Sequence, residues 1–352
     1  MSSIVTVMAR EIAEQPAAVR RTLEALLPLR ADVRALFADR RRVLLVARGS
    51  SDHAAIHGRY LLEARAGIPA SLAAPSIATH YRADLDLADT LVVAISQSGA
   101  TEEIVATADW ARAHGAAVVA VTNVAGSPLA KGADLALVTQ AGPELAVPAT
   151  KSHVTQLVAV AVVADALGAE LGPQGSGDLW ARVADEVARA VGRAETVEPA
   201  VPLLQAAEHV VVAGRGMCLA TALETALKIE ETCLVPVRGY SYADLRHGPI
   251  SVVGPDVAAV LVAAQDGPMT AGMTDVADDL RRRGARVVGI GGDTPFARAC
   301  DVHVPGPDLP EPLAPIGLVV PAQLLVERLA RALGRDPDSP RGLAKVTRTD
   351  TH

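Results

Sequence analysis

A β-rich run at 42–47 (RVLLVA) passes straight into a glycine-bearing loop and an Ala/Leu-rich helix, and the same opening returns at 209–213 (HVVVA). The likeness continues downstream. Each copy goes on to a buried apolar run (91–95, 257–263), a helix, a further run (117–121, 286–290) and a closing run (135–139, 301–304). Strands alternating with helices through short links require parallel sheets with helices on both faces. The expected fold is therefore α/β, with two tandem doubly wound parallel-sheet domains spanning 1–175 and 176–352. A chain of 352 residues has room for two such cores. Its apolar content, 50% of residues, is Ala and Val rather than aromatic (2%), which suits strands covered on both sides. Between the copies, 172–177 (GPQGSG) reads as a turn or linker, and 178–195 has a helical period expected to bridge the halves.

Several function classes are excluded at this level. The apolar stretch 157–164 ends at Asp165, far short of a bilayer span, so neither a membrane protein nor a membrane partner is expected. Arg10 and Glu11 sit where a signal peptide would be uncharged and apolar, and a cytoplasmic location is expected. The three cysteines, Cys218, Cys233 and Cys300, form neither a disulfide framework nor a metal-ligand spacing, so no metal is expected. A net charge of -7 speaks against a nucleic-acid partner while leaving room for a local anion pocket. Neither Arg48-Gly49 nor Gly214-Arg215-Gly216 extends to G-x-G-x-x-G, so no nicotinamide or other cofactor is expected.

Ligands of open parallel sheets bind beyond the carboxyl ends of the strands, where helix N-termini offer free N–H groups to anions. After the run 91–95 come Ser96, Gln97, Ser98, Gly99, Ala100 and Thr101, before a helix starting at Glu102. Ser50 and Ser51 follow the first run. Hydroxyls, an amide and glycines at two neighbouring helix starts suit a phosphate, although Ser and Gly also serve simply as caps and turns. The matching loop of the second copy, 264–268 (AQDGP), has no hydroxyl and carries a carboxylate, so the halves have diverged in role. The second half offers titratable groups instead: Lys228 and Glu231, three apart and hence on one helix face, with Glu230 between them, and then Asp244, Arg246 and His247 before Gly248-Pro249. Taken alone, a Lys-Glu pair of this kind is most often a solvated surface pair.

The runs SQSGATEE (96–103), ATKSHVTQ (149–156), ALKIEE (226–231), DLRHGP (244–249) and RGLAK (341–345), in this order, resemble the sugar isomerase (SIS) domain family with its flavodoxin-like domains. Within it they are similar to the isomerase half of the glutamine:fructose-6-phosphate aminotransferases. The resemblance implies that Ser50, Ser51, Ser96, Gln97, Ser98 and Thr101 hold a sugar phosphate. It implies that Glu231 moves a proton between the first two sugar carbons with Lys228 beside it, with Glu230 the adjacent alternative. By the same resemblance His247 assists ring opening from a neighbouring subunit of a homodimer with shared active sites. Lys345 forms an imine with the open ketose, and Val147 and Ala344 line the sugar by their backbone. Such chemistry needs a lysine that can reach its neutral form and a carboxylate able to take a proton and return it.

Three departures from the synthases stand out. Ser2 stands where they have a nucleophilic cysteine, so a glutaminase region is not expected. Ala149 replaces a serine, and Asp244 stands where they have glutamate. These features resemble stand-alone members that deaminate an amino-sugar phosphate, so the expected partner is a phosphorylated amino sugar or ketose and the expected reaction converts glucosamine 6-phosphate to fructose 6-phosphate and ammonia. A fructosamine-6-phosphate deglycase, an ammonia-dependent synthesis in the reverse direction, and a non-catalytic sugar-phosphate sensor are the alternatives.

Overall fold

The computed structural model describes residues 5–172 and 177–345; Ser2 and positions 173–176 of the expected linker lie outside them. The described residues form ten strands: β1 (Arg42–Val46), β2 (Ala70–Leu72), β3 (Thr90–Ile95), β4 (Ala117–Thr122), β5 (Leu135–Val138), β6 (His209–Gly214), β7 (Val237–Ser241), β8 (Val257–Ala263), β9 (Arg286–Gly291) and β10 (Val302–Val304). They make two five-stranded sheets, ordered β2-β1-β3-β4-β5 and β10-β9-β8-β6-β7. Every pairing is parallel. Read from β7, the second sheet repeats the order of the first, which is the flavodoxin-like arrangement.

The duplicated opening thus appears as a duplicated sheet, with one strand in each copy beyond the four apolar runs. That strand is the edge, β2 or β7. The first is three residues long, and of the second (VRGYS) only Val237 is buried. The central strands β3 and β8 are buried at every position, as parallel strands covered on both faces must be.

Packing divides the described chain into two compact units that are not continuous in sequence: 17–144, 151–172 and 344–345 in one, and 5–16, 145–150 and 177–343 in the other. In the first, Val92, Ala94, Val118 and Ala120 meet Ile104, Ala108 and Ala111 of the helix Glu102–Ala113. Its helix Lys151–Ala166 is buried all round except at Asp165, whose carboxylate takes Arg30 at 2.7 Å. In the second, Val257, Ala259 and Leu261 pack against Met273, Val276 and Leu280 of the helix Thr270–Arg282. The helical stretch expected at 178–195 is the helix Gly177–Val191, continued by a 3₁₀ segment at Ala194–Ala200. It packs against the long helix Ala314–Ala332 of its own unit. Among the described residues no helix is long and apolar enough to cross a membrane.

Candidate active site

In an order of 2-1-3-4-5 the chain reverses direction between the strands β1 and β3, so their carboxyl ends open a crevice between two helix starts. The helices Ser50–Arg65 and Glu102–Ala113 begin there, behind Gly49 (φ 57°) and Gly99 (φ 60°). Both glycines hold a left-handed conformation that L side chains resist. The loops are tied together by Arg48, whose guanidinium grips the Glu103 carboxylate in a fork at 2.9 and 3.0 Å. Ser96 Oγ lies 3.2 Å from Thr101 Oγ1 and accepts the Gly99 N–H, while Ser98 Oγ accepts the Ala100 N–H at 3.2 Å. Ser51 Oγ donates to Gln156 Oε1 at 3.2 Å. The carbonyl of Gln97 is held by the Asn123 N–H at 3.0 Å and by Thr122 Oγ1 at 3.2 Å. Ser50, Ser51, Gln97, Ser98 and Thr101 are half-buried and Ser96 is buried, so the structure brings the six candidate phosphate ligands to neighbouring loops of one unit.

The same unit holds Lys345 and the exposed Ala344. Lys345 Nζ sits 2.9 Å from the carboxylate of Glu144, a residue the sequence reading did not single out. Glu144 also accepts the Ser152 N–H at 3.0 Å and Ser152 Oγ at 2.6 Å, at the start of the helix Lys151–Ala166. Burial opposes its charge, but Lys345 and the Ser152 hydrogen bonds outweigh burial and hold its carboxyl below the usual range. A carboxylate a few residues ahead of a helix start is a weak signal by itself. Its meaning depends on a lysine 201 positions away.

The titratable group lies in the other unit. The helix Leu219–Lys228 ends at Lys228 and the chain continues as one π turn, Ile229–Cys233, followed by Leu234 at φ 57°. A π turn and a non-glycine residue in the left-handed region both mark locally strained backbone of the kind found at functional sites. The extra residue in the turn leaves Glu231 half-buried against the ammonium of Lys228, while Glu230 is exposed. Lys228 is 1% exposed, so this is no solvated surface pair. A second carboxylate, the fully buried Glu224, lies 3.7 Å from Lys228 Nζ one helical turn earlier. His247 caps the short helix Tyr242–Arg246, and its exposed side chain makes no hydrogen bond or ion pair among the described residues. The ring of Tyr242 on that helix is flanked by the guanidiniums of Arg215 and Arg246, at 4.7 and 5.7 Å. Val147 also belongs to this unit, and its N–H is given to the Asp338 carbonyl at 2.9 Å.

The cysteines take no part. All three are free, and burial pushes the thiols of Cys233 and Cys300 up to about 11 and about 12. Burial, helped by the nearby Glu311, likewise raises that of Cys218, so none supplies a thiolate nucleophile.

Two flavodoxin-like sheets of one order, with serine loops at the switch point of one of them, define a duplicated α/β protein, and comparison with known sequences gives its family. The chain belongs to the SIS domain family, which it matches over residues 36–166 and 203–330. It is 37% identical to the glutamine–fructose-6-phosphate aminotransferase (isomerizing) of Symbiobacterium thermophilum over 96% of this chain and 58% of that one. For the enzyme of the same name from Thermococcus kodakarensis the figures are 35%, 96% and 57%. The chain thus spans somewhat over half the length of these relatives. Among solved structures, a candidate phosphosugar isomerase from Silicibacter pomeroyi superposes with a TM-score of 0.85 at 34% identity, covering 95% of this chain and all of that one. The glucosamine-6-phosphate deaminase of Thermotoga maritima shares the fold, with a TM-score of 0.80 at 24% identity over 97% of this chain and 99% of that one.

Proposed function

We propose that this chain acts on a phosphorylated amino sugar, moving a proton between its first two carbons and releasing its nitrogen, with glucosamine 6-phosphate as substrate and fructose 6-phosphate and ammonia as products. The nitrogen chemistry is carried by one observation. Lys345, an amine, is held on the buried carboxylate of Glu144 in the same unit as the serine loops. A plain aldose-ketose isomerase needs a base but no second amine.

In the proposed sequence the serine loops hold the phosphate and His247, supplied by a second copy of the chain, opens the ring. Glu231 takes the proton from C2 and returns it to C1, converting the open aldehyde-amine into an imine at C2. Lys345 displaces ammonia at C2, and water releases the ketose from Lys345. Glu224 and Glu231 share the ammonium of Lys228, so Glu231 does not have that cation to itself.

The test is a panel of amino-sugar and fructosamine phosphates, scored for ammonia and for the sugar product. Ammonia and fructose 6-phosphate from glucosamine 6-phosphate are expected, with deuterium at C1 when the reaction runs in heavy water. The Glu231→Gln variant should lose a factor of about 10² to 10⁴ in rate while still binding substrate. Turnover of fructosamine phosphates alone would mean a deglycase. Binding without turnover of any of them would mean a sensor.

A further inference from the structure

The short N-terminal helix Val7–Ala13 buries Met8 and Ile12 completely, and between them the charged Glu11 at 3% exposure. A carboxylate is an unfavourable choice for an apolar helix face unless it is hydrogen-bonded there. Its two oxygens accept the backbone N–H groups of Leu145 and, at 3.3 Å, of Ala146. The next N–H, that of Val147, goes to the carbonyl of Asp338. The side chain of Asp338 then returns to the helix, accepting the N–H groups of Val7 at 2.8 Å and Met8 at 2.7 Å. A closed circuit joins the helix, the segment 145–147 and the C-terminal segment.

Two features give this circuit a purpose beyond stability. Leu145 is 75% exposed, so burial of its side chain does not fix the turn and hydrogen bonds must. The segment continues directly from Glu144, which holds Lys345, and Asp338 lies upstream of Lys345 in the same C-terminal segment. Three successive N–H groups of 145–147 are thus engaged. The N–H of Val147, given to Asp338, is not available as a donor.

We propose that Glu11 is a positioning residue that, together with Asp338, sets the backbone at 145–147 and the C-terminal segment so that Lys345 meets the sugar carbon. The proposal rests on the function argued above. Because the serine loops are braced by their own hydrogen bonds in the other unit, loss of Glu11 should disturb chemistry and spare phosphate binding.

The test uses the full chain with fructose 6-phosphate and borohydride, which reduces an imine on Lys345 to a stable adduct read by peptide mass, together with kcat and KM for ammonia release from glucosamine 6-phosphate. For Glu11→Ala we expect a ten- to hundredfold fall in trapped adduct and in kcat, of the order that a misplacement of about 1 Å causes, with KM within about threefold. Glu11→Gln keeps one acceptor and should retain several times more of both. A folded Glu11→Ala protein with adduct and kcat within twofold of the parent would overturn the role, as would an effect confined to KM. Should Glu11→Ala fail to fold, Glu11→Gln decides: parental adduct and kcat overturn the role, and reduced values with unchanged KM support it. Absence of adduct and ammonia from the parent protein itself is a distinct failure, which removes the proposed function and this role with it.

Discussion

Gly99 fixes the serine loop at 96–101, the proposed phosphate site, through two independent constraints. Its φ of 60° is a conformation that costs an L side chain about 1–2 kcal/mol, and a Cβ there would lie 2.2 Å from Ser127 Oγ and 2.7 Å from Thr122 Oγ1. Overpacking adds about 1–3 kcal/mol, so Gly99→Ala should lower Tm. Relief of the clash must move Ser127 and Thr122, and with Thr122 the grip on the Gln97 carbonyl, so phosphosugar affinity should fall at least tenfold by calorimetric titration. Unchanged affinity would remove the loop from phosphate binding. Lys228 gives the opposite kind of test. With Glu224 fully buried and 3.7 Å away, Lys228→Met strands a carboxylate in the core, which typically costs about 3–5 kcal/mol. Urea unfolding measures that loss; a change below 1 kcal/mol would show that Glu224 has other means of compensation. The spacing of Lys228 and Glu231 was readable from the helix period alone. Glu224 and Glu144 were not, because a carboxylate's significance here comes from the lysine it meets, and for Glu144 that lysine is remote in sequence.

The helices Ser50–Arg65 and Lys151–Ala166 pack within one unit, joined at Ser51 and Gln156, and each buries a histidine: His57 and His153 are both 0% exposed. Burial, with a smaller contribution from the neighbouring His153, lowers the pKa of His57 from 6.5 to about 3. The folded form is then the weaker proton binder, so stability is complete above the unfolded pKa and declines as the pH falls from about 6.5 towards 3. At about 1.4 kcal/mol per unit, His57 alone should remove about 2 kcal/mol between pH 7 and 5. Denaturant midpoints at the two pH values measure this. His57→Leu should flatten the decline by that amount, and an equally steep decline in the variant would assign it to other groups. The central strands were legible because the same short apolar runs recur in the same order in both halves, whereas Ala/Val content alone does not decide, since 157–164 (LVAVAVVA) is helical. The edge strands β2 and β7 were not: one is too short for any period, and the other carries Arg238 and Gly239 inside it. Nor does sequence announce the π turn at Ile229–Cys233, since its extra residue leaves composition and apolar spacing almost unchanged.

For the whole molecule, the duplication has produced two sheets of one order with different equipment: serine loops and Lys345 in one unit, Lys228, Glu231 and His247 in the other. The contrast in hydroxyls between 96–101 and 264–268 was visible before any geometry, because it is a difference of composition at matching strand ends. His247 differs from the rest of this set. Lys228, Glu231 and Lys345 are each held by a partner, whereas the imidazole of His247 is exposed and makes no hydrogen bond or ion pair among the described residues. That isolation fits a group whose work lies on another copy of the chain, as the family resemblance implies. His247→Ala and Glu231→Gln proteins should each be nearly inactive with glucosamine 6-phosphate. If a site takes His247 from one copy and Glu231 from the other, a mixed dimer holds one site with both groups intact and one with neither. Mixing equal amounts and allowing exchange gives mixed dimers as half of the total, each with one of its two sites working, so about a quarter of parental activity should return. If both groups came from the same copy, every site in every dimer would lack one of them, and mass-verified mixed dimers would stay as inactive as their parents.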